Sequence, residues 1–148
     1  MMREILFRGK CIEHHDRNDS VHKVGNWVHG YFYEECENTY IIEDRQGEKK
    51  TILARNIARP VDPATVGQYI GLKDKNGVKI FEGDVVKISE VLEALDFITD
   101  IYFDDSGFRY RHADGSGSIL PRHTKKVNGY EDVTVDMEVI SNIHEGEV

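Results

Sequence analysis

No two cysteines in this 148-residue chain stand at a metal-knuckle spacing. Cys11 and Cys36 are the only ones, and the absence of CxxC removes the ligand pairs of a tetrahedral zinc site. Long hydrophobic runs are also missing. No stretch approaches the roughly 20 apolar residues that span a bilayer. The opening Met1–Arg8 segment has no apolar core of the kind a secretory leader needs. The expectation is a cytoplasmic protein with two reduced thiols and no membrane partner. A basic excess is lacking too: 19 Lys and Arg face 27 Asp and Glu, a formal charge of −8. Residues 1–89 carry 14 basic and 14 acidic side chains, and residues 90–148 carry 5 and 13, so the excess lies wholly in the last part. An acidic surface gains nothing from counterion release, so nucleic acid is disfavoured as a partner. Only three prolines occur, and no fixed-period repeat is present, which excludes collagen-like, solenoid and propeller architectures.

What is present has mostly a period of two. Ile5, Phe7 and Gly9 alternate with Leu6 and Arg8 as a first strand. Residues 14–26 are polar and read as a loop. Trp27–Tyr33 is aromatic and branched and suits a strand, with Gly30 inside it marking a bulge or a close backbone approach. Thr39–Glu43 is a further strand, and a turn at Arg45–Glu48 leads to a partner at Thr51–Ala54. Pro60 and Pro63 then punctuate the chain, which places a join near residues 58–65. The expected division is a β-lobe over residues 1–60 and a second lobe over residues 61–148.

The second lobe opens on Val66–Lys73, a strand interrupted by Gly67 and Gly71. Asp74-Lys75-Asn76-Gly77 is a hairpin turn, because Asn-Gly supplies the positive-φ positions and Asp bonds back to the backbone. Val78–Phe81 returns, Glu82-Gly83-Asp84 turns again, and Val85–Ile88 follows. Small SH3-like barrels are commonly built this way. Ser89–Leu95 reads as a short capped helix. Phe97–Phe103 is a strand with Phe97, Thr99, Ile101 and Phe103 on one face. Asp104–Gly107 turns into Phe108–His112. Ala113–Ser118 and Lys125–Asp132 read as loops, and Met137–Ile143 as the closing strand.

Few residues invite chemistry. The seven histidines, His14, His15, His22, His29, His112, His123 and His144, form no HExxH pattern, and neighbours such as His14 and His15 point apart on an extended chain. Asp104-Asp105 and Asp96 with Asp100 lack EF-hand spacing, and a turn already employs Asp104. Gly67-x-x-x-Gly71 lacks the Lys and Ser or Thr of a phosphate loop. Cys11 reads as a buried structural thiol and not as a nucleophile. Trp27, Tyr31, Phe32, Tyr33 and Tyr40 could form a stacking platform for bases or proline-rich peptides, but such platforms pair rings with cations, and Glu34 and Glu35 follow directly. No cofactor, metal or catalytic residue is expected.

The run Tyr69-Ile-Gly-Leu-Lys-Asp-Lys-Asn-Gly-Val-Lys-Ile-Phe-Glu-Gly-Asp-Val-Val86 resembles the central motif of the YopX family, small proteins encoded by bacteriophages and prophages. Met2–Gly9 is similar to that family's opening strand and Glu138–Glu145 to its closing one. Trp27-Val-His-Gly30 matches an aromatic-glycine position. Ile70, Ser141 and His144 depart from the residues expected there. The resemblance implies a β-rich fold with an SH3-like barrel in the second half, a phage or prophage origin and homo-oligomers, and it carries over no catalytic residue.

The reading is therefore a mainly β protein, an N-terminal β-lobe with a C-terminal SH3-like barrel. Its function is that of a non-enzymatic phage accessory module that binds protein or self-assembles. The alternatives are a nucleic-acid binder, using a basic stripe from Arg3, Arg8, Lys10, Arg55 and Arg59, or a metal-dependent hydrolase. Gly67, Gly71, Asp74, Asn76, Gly77, Glu82, Gly83 and Asp84 form the structural motif. Trp27, Tyr31, Phe32 and Tyr33 form the candidate interaction surface.

Overall fold

The structure, a computed structural model, describes residues 4–12, 24–44, 56–89, 96–105, 107–111, 117–119, 124–127, 131–134 and 137–145. It is mainly β. The chain divides into two compact units, Met1–Gln68 and Tyr69–Val148.

The first unit contains β1 (Phe7–Lys10), β2 (Trp27–Glu35), β3 (Asn38–Asp44) and β4 (Asn56–Pro60), all antiparallel in that order, with the start of β5 (Gly67–Lys73) on the outer side of β1. Register decides which residues share a face. Phe7 lies opposite Gly30, Tyr31 opposite Ile42 and Ile41 opposite Arg59. Side chains alternate along each strand. One face therefore gathers Phe7, Gly9, Cys11, Val28, Phe32, Ile41, Arg59 and Val61, and its buried apolar members Cys11, Val28, Ile41 and Val61 make the core, with Phe7 and Val66 against them. Gly9 sits in this core because a Cβ there would lie 3.0 Å from that of Val61. Pro60 ends β4, the last strand in the order, where its missing N–H costs least. Pro63 opens a single 3-10 turn, Pro63–Thr65, capped by Asp62, whose carboxylate accepts from the Ala64 N–H at 3.0 Å.

In the second unit β5 continues and pairs with β6 (Lys79–Phe81). A five-stranded antiparallel sheet follows, in the order β10 (Gly117–Ile119), β9 (Gly107–Arg111), β8 (Asp96–Asp104), β7 (Asp84–Ser89) and β13 (Met137–Asn142). Ile70, Leu72, Ile80, Val86, Ile88, Ile101, Tyr110 and Met137 form its core. The period-two phase of β8 holds at Thr99 and Ile101, which are buried, while Phe103 beyond them is exposed and stacks edge-on with Phe108.

Several expectations change. Lys125–Asp132 is not a loop: β11 (Thr124–Val127) and β12 (Glu131–Thr134) form a hairpin, and Val133 adds to β5 at Lys73 in parallel. Charge hid these strands, because Lys125, Lys126, Glu131 and Asp132 interrupt the apolar alternation. In the register Lys126 is the Cα partner of Asp132 and Lys125 that of Val133. Gly117 and Ser118 are not loop residues either. They open β10, and a Cβ at Gly117 would fall on the Tyr102 hydroxyl, so the ring covers a glycine that composition alone assigns to a flexible segment. The partner of β3 is β4; the expected strand at Thr51–Ala54 and its turn at Arg45–Glu48 lie outside the described residues, as do residues 14–23 of the expected polar loop and residues 90–95 of the expected helix. Ser89, its expected cap, is the last residue of β7 and pairs with Asp96.

Candidate interaction face

The two groups of sequence-derived residues have different surroundings. Those of the central motif are built into turns. Asp74 is buried, with 1% of its surface exposed. Its Oδ1 accepts from the Asn76 N–H at 2.8 Å and the Val78 N–H at 2.9 Å. Its Oδ2 accepts from the Val139 N–H at 2.9 Å, which ties the turn to β13. Gly77 has φ +83° and Gly83 +89°, the left-handed conformation that tight turns require. Gly71, at +88°, sits within the register shift between Tyr69 and Lys73. The Asp84 carboxylate accepts from the Phe81 N–H at 2.8 Å across the second turn. The Gly83 N–H donates to Ile101, and Ile143 N–H donates to the Gly83 carbonyl, both at 2.8 Å. Glu82 beside it is half-buried, and burial pushes its carboxyl above the ordinary carboxylate range. Ionising it as pH rises through that range therefore costs folded-state stability. Gly67 is buried opposite Arg8. These residues shape backbone.

Among the described residues no three His, Cys, Asp or Glu side chains gather where they could hold a metal ion. His14, His15, His22, His112 and His123 lie outside the described residues, His29 is exposed and His144 is half-buried. Asp104 pairs with Arg109 at 2.9 Å, and Asp100 approaches Arg111 at 3.8 Å. Cys11 is buried and Cys36 exposed, and neither is in a disulfide.

The second group occupies the first unit's sheet. The Arg8 guanidinium lies 4.4 Å from the centre of the Trp27 ring and the Lys10 ammonium 5.2 Å from it. Register puts Trp27, His29, Tyr31, Tyr33 and Tyr40 on this face, away from the core; Tyr33 and Tyr40 are 6.3 Å apart between ring centres. Cations thus accompany one ring of the set, which sequence neighbours could not reveal because they come from β1. Phe32 is on the other face, 5.6 Å from Phe7. The four residues are therefore not one surface patch but two sides of a hairpin. The proposed basic stripe does not assemble among the described residues: Arg8 and Arg59 are both buried and on opposite faces, and Arg3 and Arg55 lie outside the described residues.

Beyond Gly30 the β2 strand is exposed on both of its faces, while Thr39 and Ile41 of the partner strand stay buried. Tyr31, Phe32 and Tyr33 expose 51%, 40% and 43% of their surface. Every residue from Tyr31 to Asn38 is exposed. The tip, Cys36-Glu37, has φ +48° and +68°, an unusual conformation for two residues that are not glycine. Register alone could place this segment; no sequence signal distinguishes an exposed aromatic strand from a buried one.

A mainly-β protein of two units, with buried turn carboxylates and an exposed aromatic strand, is the class that these features define. The chain belongs to the YopX protein family, whose family model matches residues 8–147. No curated protein matches it. No helix among the described residues is long and apolar enough to cross a membrane.

Proposed function

We propose that the chain is a phage or prophage accessory protein of the host cytoplasm that acts by protein binding and self-assembly, not by catalysis, with an SH3-like barrel as its second half. The observation that supports this reading is the exposure of Tyr31, Phe32 and Tyr33 on both sides of one hairpin. Aromatic side chains bring large contact area with few torsions to freeze, and they dominate the energetics of protein interfaces. The overall charge opposes self-association only weakly here. Residues 1–68 carry 10 basic and 11 acidic side chains, so the negative excess belongs to the other unit.

Light scattering in about 0.15 M salt, where the Debye length is about 8 Å, tests the proposal. The expected mass is that of a dimer or larger species at micromolar concentration, reduced towards the monomer by Phe32→Glu or Tyr31→Glu. A strictly monomeric mass over a hundredfold concentration range overturns self-assembly.

A further inference from the structure

Among the described residues, the distal half of β2 is an open sheet edge. Pairing with β1 ends at Phe7 opposite Gly30, and Glu4–Leu6 take no strand conformation. Among the described residues, Tyr31–Glu35 pairs only with β3. The two-residue tip with both φ angles positive is a type I′ hairpin turn, which makes Glu35 and Asn38 its hydrogen-bonded closing pair. In an antiparallel ladder such pairs alternate. Tyr33 and Tyr31 therefore point their backbone groups at β3, and Phe32 and Glu34 point theirs to the open side. Glu34 and Glu35 guard only the distal end of this edge; Tyr31–Tyr33 has exposed rings, no charge and no proline, and is poorly protected against pairing with another strand.

We infer that a second copy of this chain occupies this edge, its Tyr31–Glu35 pairing antiparallel about a two-fold axis at Tyr33. The inference rests on the self-assembly reading above and specifies its contact. Three symmetric registers place the axis within the open segment's central residues. An axis at Glu34 sets two carboxylates directly opposite each other, which is unfavourable. An axis at Phe32 sets Glu34 of the copy opposite Gly30, where Phe7 already pairs. The axis at Tyr33 avoids both. It places Phe32 opposite Glu34 of the copy in hydrogen-bonded pairs, Tyr31 opposite Glu35, and Tyr33 opposite itself. The copy's turn at Cys36 then falls opposite Gly30, where β1 begins, so the two open segments match in length. The contact is isologous and closes as a dimer.

Cross-linking tests the register. In a non-hydrogen-bonded antiparallel pair the Cα atoms are about 4.5 Å apart, inside the range a disulfide spans. In a Cys36→Ser background, which leaves only the buried Cys11 thiol, Tyr33→Cys should give a disulfide-linked dimer under mild oxidation. Tyr31→Cys and Glu35→Cys should each stay unlinked alone but link when the two proteins are mixed, a pair of variants that keeps Tyr33. Trp27 fluorescence, from the only tryptophan, together with circular dichroism, confirms folding of each variant. A dimer by light scattering in which Tyr33→Cys and the mixed pair both stay unlinked overturns the edge contact while self-assembly stands. Linkage by Tyr31→Cys alone in preference to Tyr33→Cys overturns the register. A strictly monomeric protein overturns both proposals.

Discussion

Replacing Asp74 by alanine should lower unfolding stability by about 4 kcal/mol, the loss expected when one buried acceptor leaves several backbone donors without partners. Three N–H groups converge on this carboxylate, two from the turn itself and one from Val139 on β13. Asn76 and its neighbours are exposed and can turn to water, but Val139 is held in a strand of the sheet. Asparagine should rescue only part of the loss. Its amide has one oxygen, so one end of the site meets an N–H group in place of an acceptor. Within the same turn Gly77→Val should cost less, about 1–3 kcal/mol, because the penalty is conformational strain at positive φ alone. A Cβ at Gly77 meets nothing within 4 Å. Urea unfolding of the three variants measures the order. A loss below about 1 kcal/mol for Asp74→Ala would refute the view that this carboxylate joins turn to sheet.

Gly30→Val should destabilise the first unit by about 3 kcal/mol, the upper end for inserting volume where nothing can yield. Gly30 keeps an ordinary φ, so the reason is proximity and not backbone freedom. A Cβ there would fall on the Ile42 carbonyl oxygen, 2.8 Å from the Ile42 carbonyl carbon and 3.1 Å from the Glu43 Cα. All three atoms belong to the backbone of β3, so no side-chain rotation relieves the overlap. The strands must separate, at the point where β2 passes from its buried to its exposed half. Denaturant unfolding followed by Trp27 fluorescence reports the change directly, because Trp27 lies three residues away on the same strand. If Gly30→Val unfolds within about 0.5 kcal/mol of the parent, the close approach of β2 to β3 is wrong.

The positions of strands with strong period-two patterns were legible, and so were the turns with specific residues. Asp74-Lys75-Asn76-Gly77 and Glu82-Gly83-Asp84 have left-handed glycines because local sterics demand them whatever the surroundings. Gly30 was legible as a site of close approach, although not the atom it approaches. The strands at Thr124–Val127 and Glu131–Thr134 were not legible, because charged residues interrupt their alternation and they are defined by pairing with each other and with β5, partners distant in the chain.

The amino-acid sequence by itself determined the mainly-β class, the hairpin turns of the central motif, the uneven charge and the family, all of which rest on residue type and short spacing. Only the tertiary structure decided which side of the sheet each aromatic residue occupies. A shift of one residue in pairing would exchange every face, and pairing is set by residues distant in the chain. Thus Arg8 and Lys10 meet Trp27 through the β1–β2 register, and Phe32 parts from Tyr31 and Tyr33 through alternation. The edge at Tyr31–Glu35, open among the described residues, has the same origin: β1 is shorter than β2, and its pairing stops at Gly30.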